Sequence, residues 1–240
     1  MRIYIGIDPR QPVAYNVLQW SITRRASKPV SIIPLVLPTL PITRTGLTDF
    51  TYSRYLCPAL SGYQGISLFM DADMLVLDDI CKLQEFVSDD YAVSVYKSKQ
   101  KFEWPSLMLF NNSKCKKLTT EYINNPETKP QSFEWADAIG ELPVEWNYCV
   151  GYEKDDIDAK IVHYTAGIPD FAETRNCKYS GEWREEYQSM TSNCSWLELM
   201  GDSVHADLVL QEIQERKNTW QLRHTQNLKQ QLETGQQEAI

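Results

Sequence analysis

The amino-acid sequence predicts an α/β fold with a mostly parallel central sheet flanked by helices and a helical extension at its C-terminal end. Short β-branched and aromatic runs alternate with segments of helical apolar spacing over roughly the first 80 residues. Acidic residues stand at the ends of those runs, where an open parallel sheet collects its ligands. The chain has 240 residues, 42% of them apolar, enough for one substantial core, and a single main domain is the default expectation.

Taken in order, Arg2 to Ile7 is a strand that stops at Asp8-Pro9. Val13, Val17, Leu18 and Ile22 recur at helical spacing, and Arg24-Arg25 complement that helix's C-terminus. Pro29 to Val36 is a second strand. After a polar loop, Tyr52, Tyr55, Leu56 and Leu60 mark a second helix that Gly62 can stop. Ile66 to Met70 is a third strand running into Asp71-Ala72-Asp73, with Met74 to Leu77 apolar beyond it. Asp78-Asp79 read as a helix cap, because Ile80, Leu83 and Val87 follow at helical spacing. Tyr91 to Tyr96, Ser106 to Phe110 and Ile161 to Tyr164 are the remaining strands, the last carrying His163. From Cys194 onward the pattern is helical, with Ala206, Val209, Ile213 and Trp220 on one face, and it fades into a Gln-rich tail after Thr225.

A net charge of -8 argues against general affinity for nucleic-acid backbones or anionic membranes, since the long-range term is repulsive. The six cysteines form no CxxC pair and no Cys/His cluster, so reduced thiols fit better than structural zinc. MRIYIGID lacks the features of a signal peptide, and no apolar run reaches bilayer-spanning length. These readings together place the protein in the cytoplasm, with no transmembrane segment expected.

The strongest chemical signal is Phe69-Met70-Asp71-Ala72-Asp73-Met74, two carboxylates one residue apart at the mouth of an apolar strand. Such charges call for a counter-charge, and a hard divalent cation supplies it while also binding a nucleotide diphosphate. A bare Asp-x-Asp otherwise caps a turn; the apolar flanks favour the cation.

The chain resembles glycosyltransferase family 8, the superfamily of glycogenin and the lipopolysaccharide galactosyltransferases, and more narrowly its bacterial and phage branch. The matching segments are MRIYIGIDPRQPVAY, LTDFTYSRYLCPAL, GISLFMDADMLVLDDI, WPSLMLFNN, FEWADAIGELPVEWNYCVGY and AKIVHYTAGIPDF, in order over about residues 1 to 185. The resemblance implies a GT-A (nucleotide-diphospho-sugar transferase) fold, with the domain at 1–190 and a helical extension with a polar tail at 191–240. It implies a metal-dependent hexosyltransferase with Mn2+ or Mg2+ and a nucleotide-sugar donor, expected to be UDP-linked. The acceptor is a hydroxyl of a glycan, a lipid-linked sugar or another molecule, and transfer proceeds with retention.

Residue by residue, the resemblance makes Asp71, Asp73 and His163 the metal ligands and Asp8 a nucleoside contact. It turns Arg54 toward the donor phosphates or sugar, although the pattern alone equally suits a surface arginine. Ala72 belongs to the donor-binding motif, and Gly167 either lets backbone N–H groups approach a phosphate or makes a plain turn. Asn111, Asn112, Asp137, Trp146 and Asn147 fall where the family lines its sugar and acceptor pockets. Asp137 is the expected catalytic contact to the donor sugar, and Trp146 reads equally well as core.

Two departures stand out. Ile168-Pro169-Asp170 replaces the family's Lys-Pro-Trp, and the link between Val95 and Trp104 is short. They favour the alternative of a nucleotide-sugar-binding scaffold with little or no turnover. A sugar nucleotidyltransferase would need a Gly-rich basic loop after the first strand, which GIDPRQPVAY lacks. The helical stripe from Ser203 to Gln231 suggests a homo-oligomer contact, although such stripes more often pack on their own domain.

Overall fold

A computed structural model describes residues 1–154 and 156–193, together with Asp207, Gln211, Gln214, Glu215, Asn218 and Thr219, which are helical. The sheet begins with β1 (Arg2–Gly6), followed by helix α1 (Pro12–Arg25) and β2 (Ser31–Leu35). Pro12 suits the first turn of α1, where its missing N–H is no loss, and Arg24 and Arg25 lie in the last turn, opposite the helix dipole.

The stripe at Tyr52 to Leu60 is a broken helix instead of the continuous one expected. It comprises α2 (Phe50–Ser53), a 3-10 turn at Arg54–Leu56 and α3 (Cys57–Leu60). Pro58 has no N–H to continue an earlier turn, and Gly62 ends the segment at φ +63°.

Strands β3 (Ile66–Asp71) and β4 (Met74–Val76) follow, separated by Ala72-Asp73. Asp79 caps the next segment, its carboxylate accepting from Cys81 N–H, but Ile80–Phe86 is a 3-10 helix. Then come β5 (Val93–Val95), β6 (Leu107–Asn111), the short helix α4 (Thr120–Asn124), β7 (Ile139–Glu141), β8 (Tyr148–Cys149) and β9 (Ile161–His163).

Six strands form the main sheet in the order β2-β1-β3-β6-β5-β7, parallel except where β6 pairs with β3 and β5. The strand at His163 does not complete this sheet, as the sequence pattern suggests. It lies in a second, three-stranded sheet ordered β4-β9-β8. The main sheet sorts its side chains by alternation. Tyr4, Phe69, Met108, Phe110 and Val93 join an aromatic core with Tyr55, Phe133 and Trp135, while Ile3, Ile5, Leu68, Met70, Leu107 and Leu109 are buried on the other face.

Two compact units separate, Met1–Tyr187 and Gln188–Ile240. Helix α5 (Ser180–Asn193) starts before the helical pattern read from Cys194, and the buried Glu186 on it pairs with Arg24 and Arg25 at 3.1 and 2.7 Å. In the second unit, Gln214 Nε2 donates to Asn218 Oδ1 and Thr219 Oγ1 to Glu215 C=O, as one helical turn allows. Ala206, Val209, Ile213 and Trp220 lie outside the described residues, and so does the oligomer contact expected from them. No helix among the described residues is long and apolar enough to cross a membrane.

Gly6 ties this framework to the end of β3, because it pairs with Asp71 and leaves room for Phe50 of α2. A Cβ at Gly6 would meet the Phe50 ring at 2.5 Å. Gly6→Ala is therefore expected to lose about 1–3 kcal/mol in urea unfolding, the usual cost of overpacking, with α2 displaced.

Candidate functional site

The site grows from the place where β3 stops. Asp71 is its last residue, in register with Gly6 of the parallel β1, so the acidic pair stands at the carboxyl end of both strands. The chain bends at Ala72-Asp73 and re-enters as β4, whose antiparallel pairing sets Met74 opposite His163. Tyr164 N–H donates to Asp73 C=O at 2.9 Å and closes the same corner. One atom from each of Asp71, Asp73 and His163 then lies within 4.8 Å of the other two, and His163 Nε2 is 3.5 Å from Asp73 Oδ1.

Arg54 is turned inward, to the acidic pair. Its Nη2 sits 3.1 Å from Asp71 Oδ1, Nη1 donates to Pro105 C=O and Nε to Phe50 C=O. The guanidinium also lies against the rings of Phe69 and Phe50, at 4.9 and 5.3 Å. A planar fork with five N–H groups serves this position well, since one side chain holds two carbonyls and a carboxylate in fixed directions. The surface alternative is thus replaced by a buried arginine that orients Asp71.

Charge here is expensive. Asp71 is 9% exposed and His163 2%. Burial pushes the Asp71 carboxyl up to about 7, with Asp73 and Glu103 adding to the rise against the opposing pull of Arg54 and His163. For His163 burial works against the charged ring, but Asp73 and Cys149 outweigh it and raise the imidazole well above its ordinary value. Asp71 Oδ1 and Asp73 Oδ1 are buried, and among the described residues neither accepts a hydrogen bond. Each oxygen has one charged neighbour, Arg54 Nη2 at 3.1 Å for Asp71 and His163 Nε2 at 3.5 Å for Asp73, with acceptor capacity to spare, and the set fits a hard or borderline divalent cation such as Mn2+ or Mg2+.

The other expected residues divide by sheet end. Asp8, two residues past β1, lies at the same end as Asp71, where Arg10 grips its carboxylate at 2.7 to 3.1 Å and holds it below the usual range. Ala72 is buried between the two aspartates. Gly167, at φ +112°, donates its N–H to Tyr164 C=O, so that N–H serves the turn; the tight approach of Phe171 also requires a glycine there.

Asp137 falls elsewhere. Ser67, Phe110, Val93 and Ile139 share one row across the sheet. Asp71 is four residues beyond that row and Asp137 two residues before it, so roughly 20 Å separates them along the strand direction. Asp137's side chain is 89% exposed and pairs with Lys117, which does not suit the expected sugar contact at the acidic pair. Asn111 and Asn112 lie at that far end too, because β6 runs antiparallel to β3; Asn112 is buried and bonded to Ser67 Oγ and Gln64 C=O. Trp146 is core, 1% exposed, and Asn147 is buried with its amide on Ser106 Oγ.

The structure adds two residues that patterning does not single out. Glu103 Oε2 stands 3.8 Å from His163 Nδ1, and Cys149 Sγ 3.7 Å from the same nitrogen. Burial raises the Glu103 carboxyl, against the pull of His163. The one available signal was an acidic residue set inside the aromatic run Phe102-Glu103-Trp104-Pro105.

No protein-family model matches the chain. Protein CDI of Arabidopsis thaliana is 34% identical over 227 residues, spanning 78% of this chain and 86% of that protein. Among solved structures, the bifunctional glycosyltransferase WbbM in its apo form is similar with a TM-score of 0.63 at 14% identity, covering 88% of this chain and 51% of that one. The galactosyltransferase LgtC, in complex with donor and acceptor sugar analogues, gives a TM-score of 0.53 at 12% identity, covering 80% and 96%. The architecture is thus of the GT-A glycosyltransferase type, and this chain spans about half the length of WbbM.

Cation binding at this site has to displace protons, which fixes the sign of its pH dependence. With Asp71 raised to about 7 and His163 raised above its ordinary value, the cation-free fold is expected to lose stability from about pH 4 to 7 through Asp71 and above about pH 6.5 through His163. Mn2+ requires both groups deprotonated, and its affinity is expected to rise roughly tenfold or more between about pH 6 and pH 8. Calorimetric titration at the two values checks this, with a larger Mn2+-induced rise in Tm at the higher pH.

Proposed function

The chain belongs to the family of Protein CDI from Arabidopsis thaliana, and from that premise we propose that it transfers a sugar from a nucleotide-sugar donor to an acceptor hydroxyl. The observation that carries this reading is the convergence of Asp71, Asp73 and His163 at the carboxyl ends of β1 and β3. The fold is shared with glycosyltransferases, of which LgtC holds donor and acceptor sugar analogues in its crystals. We extend the reading to a UDP-linked donor, retention of configuration and membership of glycosyltransferase family 8, on the strength of the segments quoted above.

The chain's own residues do the positioning. The carboxylates of Asp71 and Asp73 and Nε2 of His163 would hold the cation, with Arg54 keeping Asp71 in place. Asp8, at the same sheet end, is the nucleoside contact in this proposal. When bound, a divalent cation supplies Lewis-acid neutralisation of the departing diphosphate. Little acid or base chemistry is then asked of the protein, which acts by orientation and electrostatics. Asp137 has no part in it, because its place at the opposite sheet end leaves it beside Lys117.

One observation favours a second reading, binding without turnover. Ile168 and Pro169 are buried, so the segment that replaces Lys-Pro-Trp packs inward and presents no cation to a diphosphate. The two readings part on a single assay. With Mn2+ and a panel of UDP-sugars, the transferase reading expects donor hydrolysis that falls at least about 100-fold in Asp73→Asn, in line with the loss of a charge that stabilises the transition state. Tight UDP binding without hydrolysis in the wild type would support the scaffold, and hydrolysis unchanged in Asp73→Asn would overturn the metal-dependent mechanism.

A further inference from the structure

The ring of His163 has a charged neighbour on each side, and only one of them belongs to the cation site. Nε2 faces Asp73 at 3.5 Å; Nδ1 faces Glu103 at 3.8 Å and Cys149 Sγ at 3.7 Å. A neutral imidazole has one N–H to give, so its two nitrogens cannot both donate. The ring binds a cation through Nε2 only when the proton rests on Nδ1. Whichever group best accepts from Nδ1 therefore decides whether His163 is a ligand.

Two groups compete for that nitrogen, and they are unequal. Cys149 Sγ is within hydrogen-bonding reach and Glu103 is an ion-pair contact, but a carboxylate is acceptor-only and draws an N–H by its charge, whereas a thiol is a weak donor and a weak acceptor. The Cys149 thiol also has the Asn147 carbonyl within 3.5 Å as an acceptor for its own proton. The segment bearing Glu103 is held on several sides. Ser106 Oγ donates to Glu103 C=O, Asn147 Nδ2 donates to Ser106 Oγ, Trp104 Nε1 donates to Ser98 C=O, and Pro105 C=O receives Arg54 Nη1. The Glu103 side chain is itself only 12% exposed. A carboxylate so placed does not belong to a solvated loop face.

We infer that Glu103 is a positioning residue that keeps the proton of His163 on Nδ1 and so presents the Nε2 lone pair to the cation shared with Asp71 and Asp73. Carboxylate partners of ligating histidines act in this way in metal sites generally, setting the tautomer, aiming the ring and raising its basicity. The inference rests on the cation reading of the preceding subsection. It also explains why the chain keeps a further acidic group beside two aspartates whose charges already crowd one another.

The test measures Mn2+ affinity by the EPR signal of the free ion, at fixed pH, in wild type, Glu103→Ala, Glu103→Gln and Glu103→Asp. Spin-echo modulation from a coordinated imidazole nitrogen is read at matched occupancy. Glu103→Ala is expected to bind roughly 10- to 100-fold more weakly and to lose the nitrogen modulation. Glu103→Gln, whose amide oxygen still accepts from Nδ1, should recover most of both. If the alanine variant does not fold, the shorter carboxylate of Glu103→Asp should weaken binding while its melting transition remains intact. Alanine binding within twofold of wild type with the nitrogen signal unchanged, or glutamine as weak as alanine, would overturn the role of Glu103 and leave the cation site standing. A wild type that binds no Mn2+, with or without UDP, would take both readings down together.

Discussion

The structure is organised around a cost: two carboxylates at the end of an apolar strand, with the oxygens of both partly buried. An uncompensated buried charge costs several kcal/mol, so such a pair persists only where positive groups are brought to it. Arg54 comes from the broken helix after β2 and His163 from β9, far along the chain. The arginine answers Asp71, and the imidazole answers Asp73. Neither satisfies both oxygens by hydrogen bonds, and the remaining acceptor capacity is what a cation would use.

Much of the fold follows from delivering those groups. The parallel register of β1 on β3 puts Gly6 beside Asp71 and makes room for Phe50, on whose carbonyl Arg54 is anchored. The small second sheet exists at the same corner. By pairing β4 with β9 it converts a sequence-distant histidine into a neighbour of Asp73. The 3-10 segment Lys101–Ser106 then closes the site from a third side, lending a carbonyl to Arg54 and a carboxylate to His163.

What the sequence reveals of this depends on the range of the interaction. Strands β1, β2 and β3 and helix α1 are legible because apolar periodicity is a local property, and Asp71-Ala72-Asp73 is legible because it interrupts an apolar run. The break at Pro58 and the second sheet are harder to read, since three-residue strands such as β4 and β9 carry too little alternation to say which partner they choose. The family resemblance puts Asn111, Asn112 and Asp137 near the sugar. Which end of the sheet they occupy depends on strand direction: the reversal at β6 sends Asn111 and Asn112 to the far side, and Asp137 lies there because it precedes β7, which runs parallel to β3 through β5. Glu103 was hidden for the same reason, its meaning coming wholly from a residue sixty positions away. Arg54 was singled out by resemblance, but its direction, inward to Asp71, is a property of packing alone.

In the proposed function, Asp71, Asp73 and His163 share one cation in contact with a nucleotide diphosphate. The most direct measurement is anomalous diffraction from crystals grown with Mn2+ and UDP. One manganese peak is expected at roughly 2.0–2.3 Å from a carboxylate oxygen of each aspartate and from His163 Nε2, with the diphosphate on its open side. A manganese peak elsewhere, or UDP bound at this corner with no metal between it and the aspartates, would contradict this arrangement.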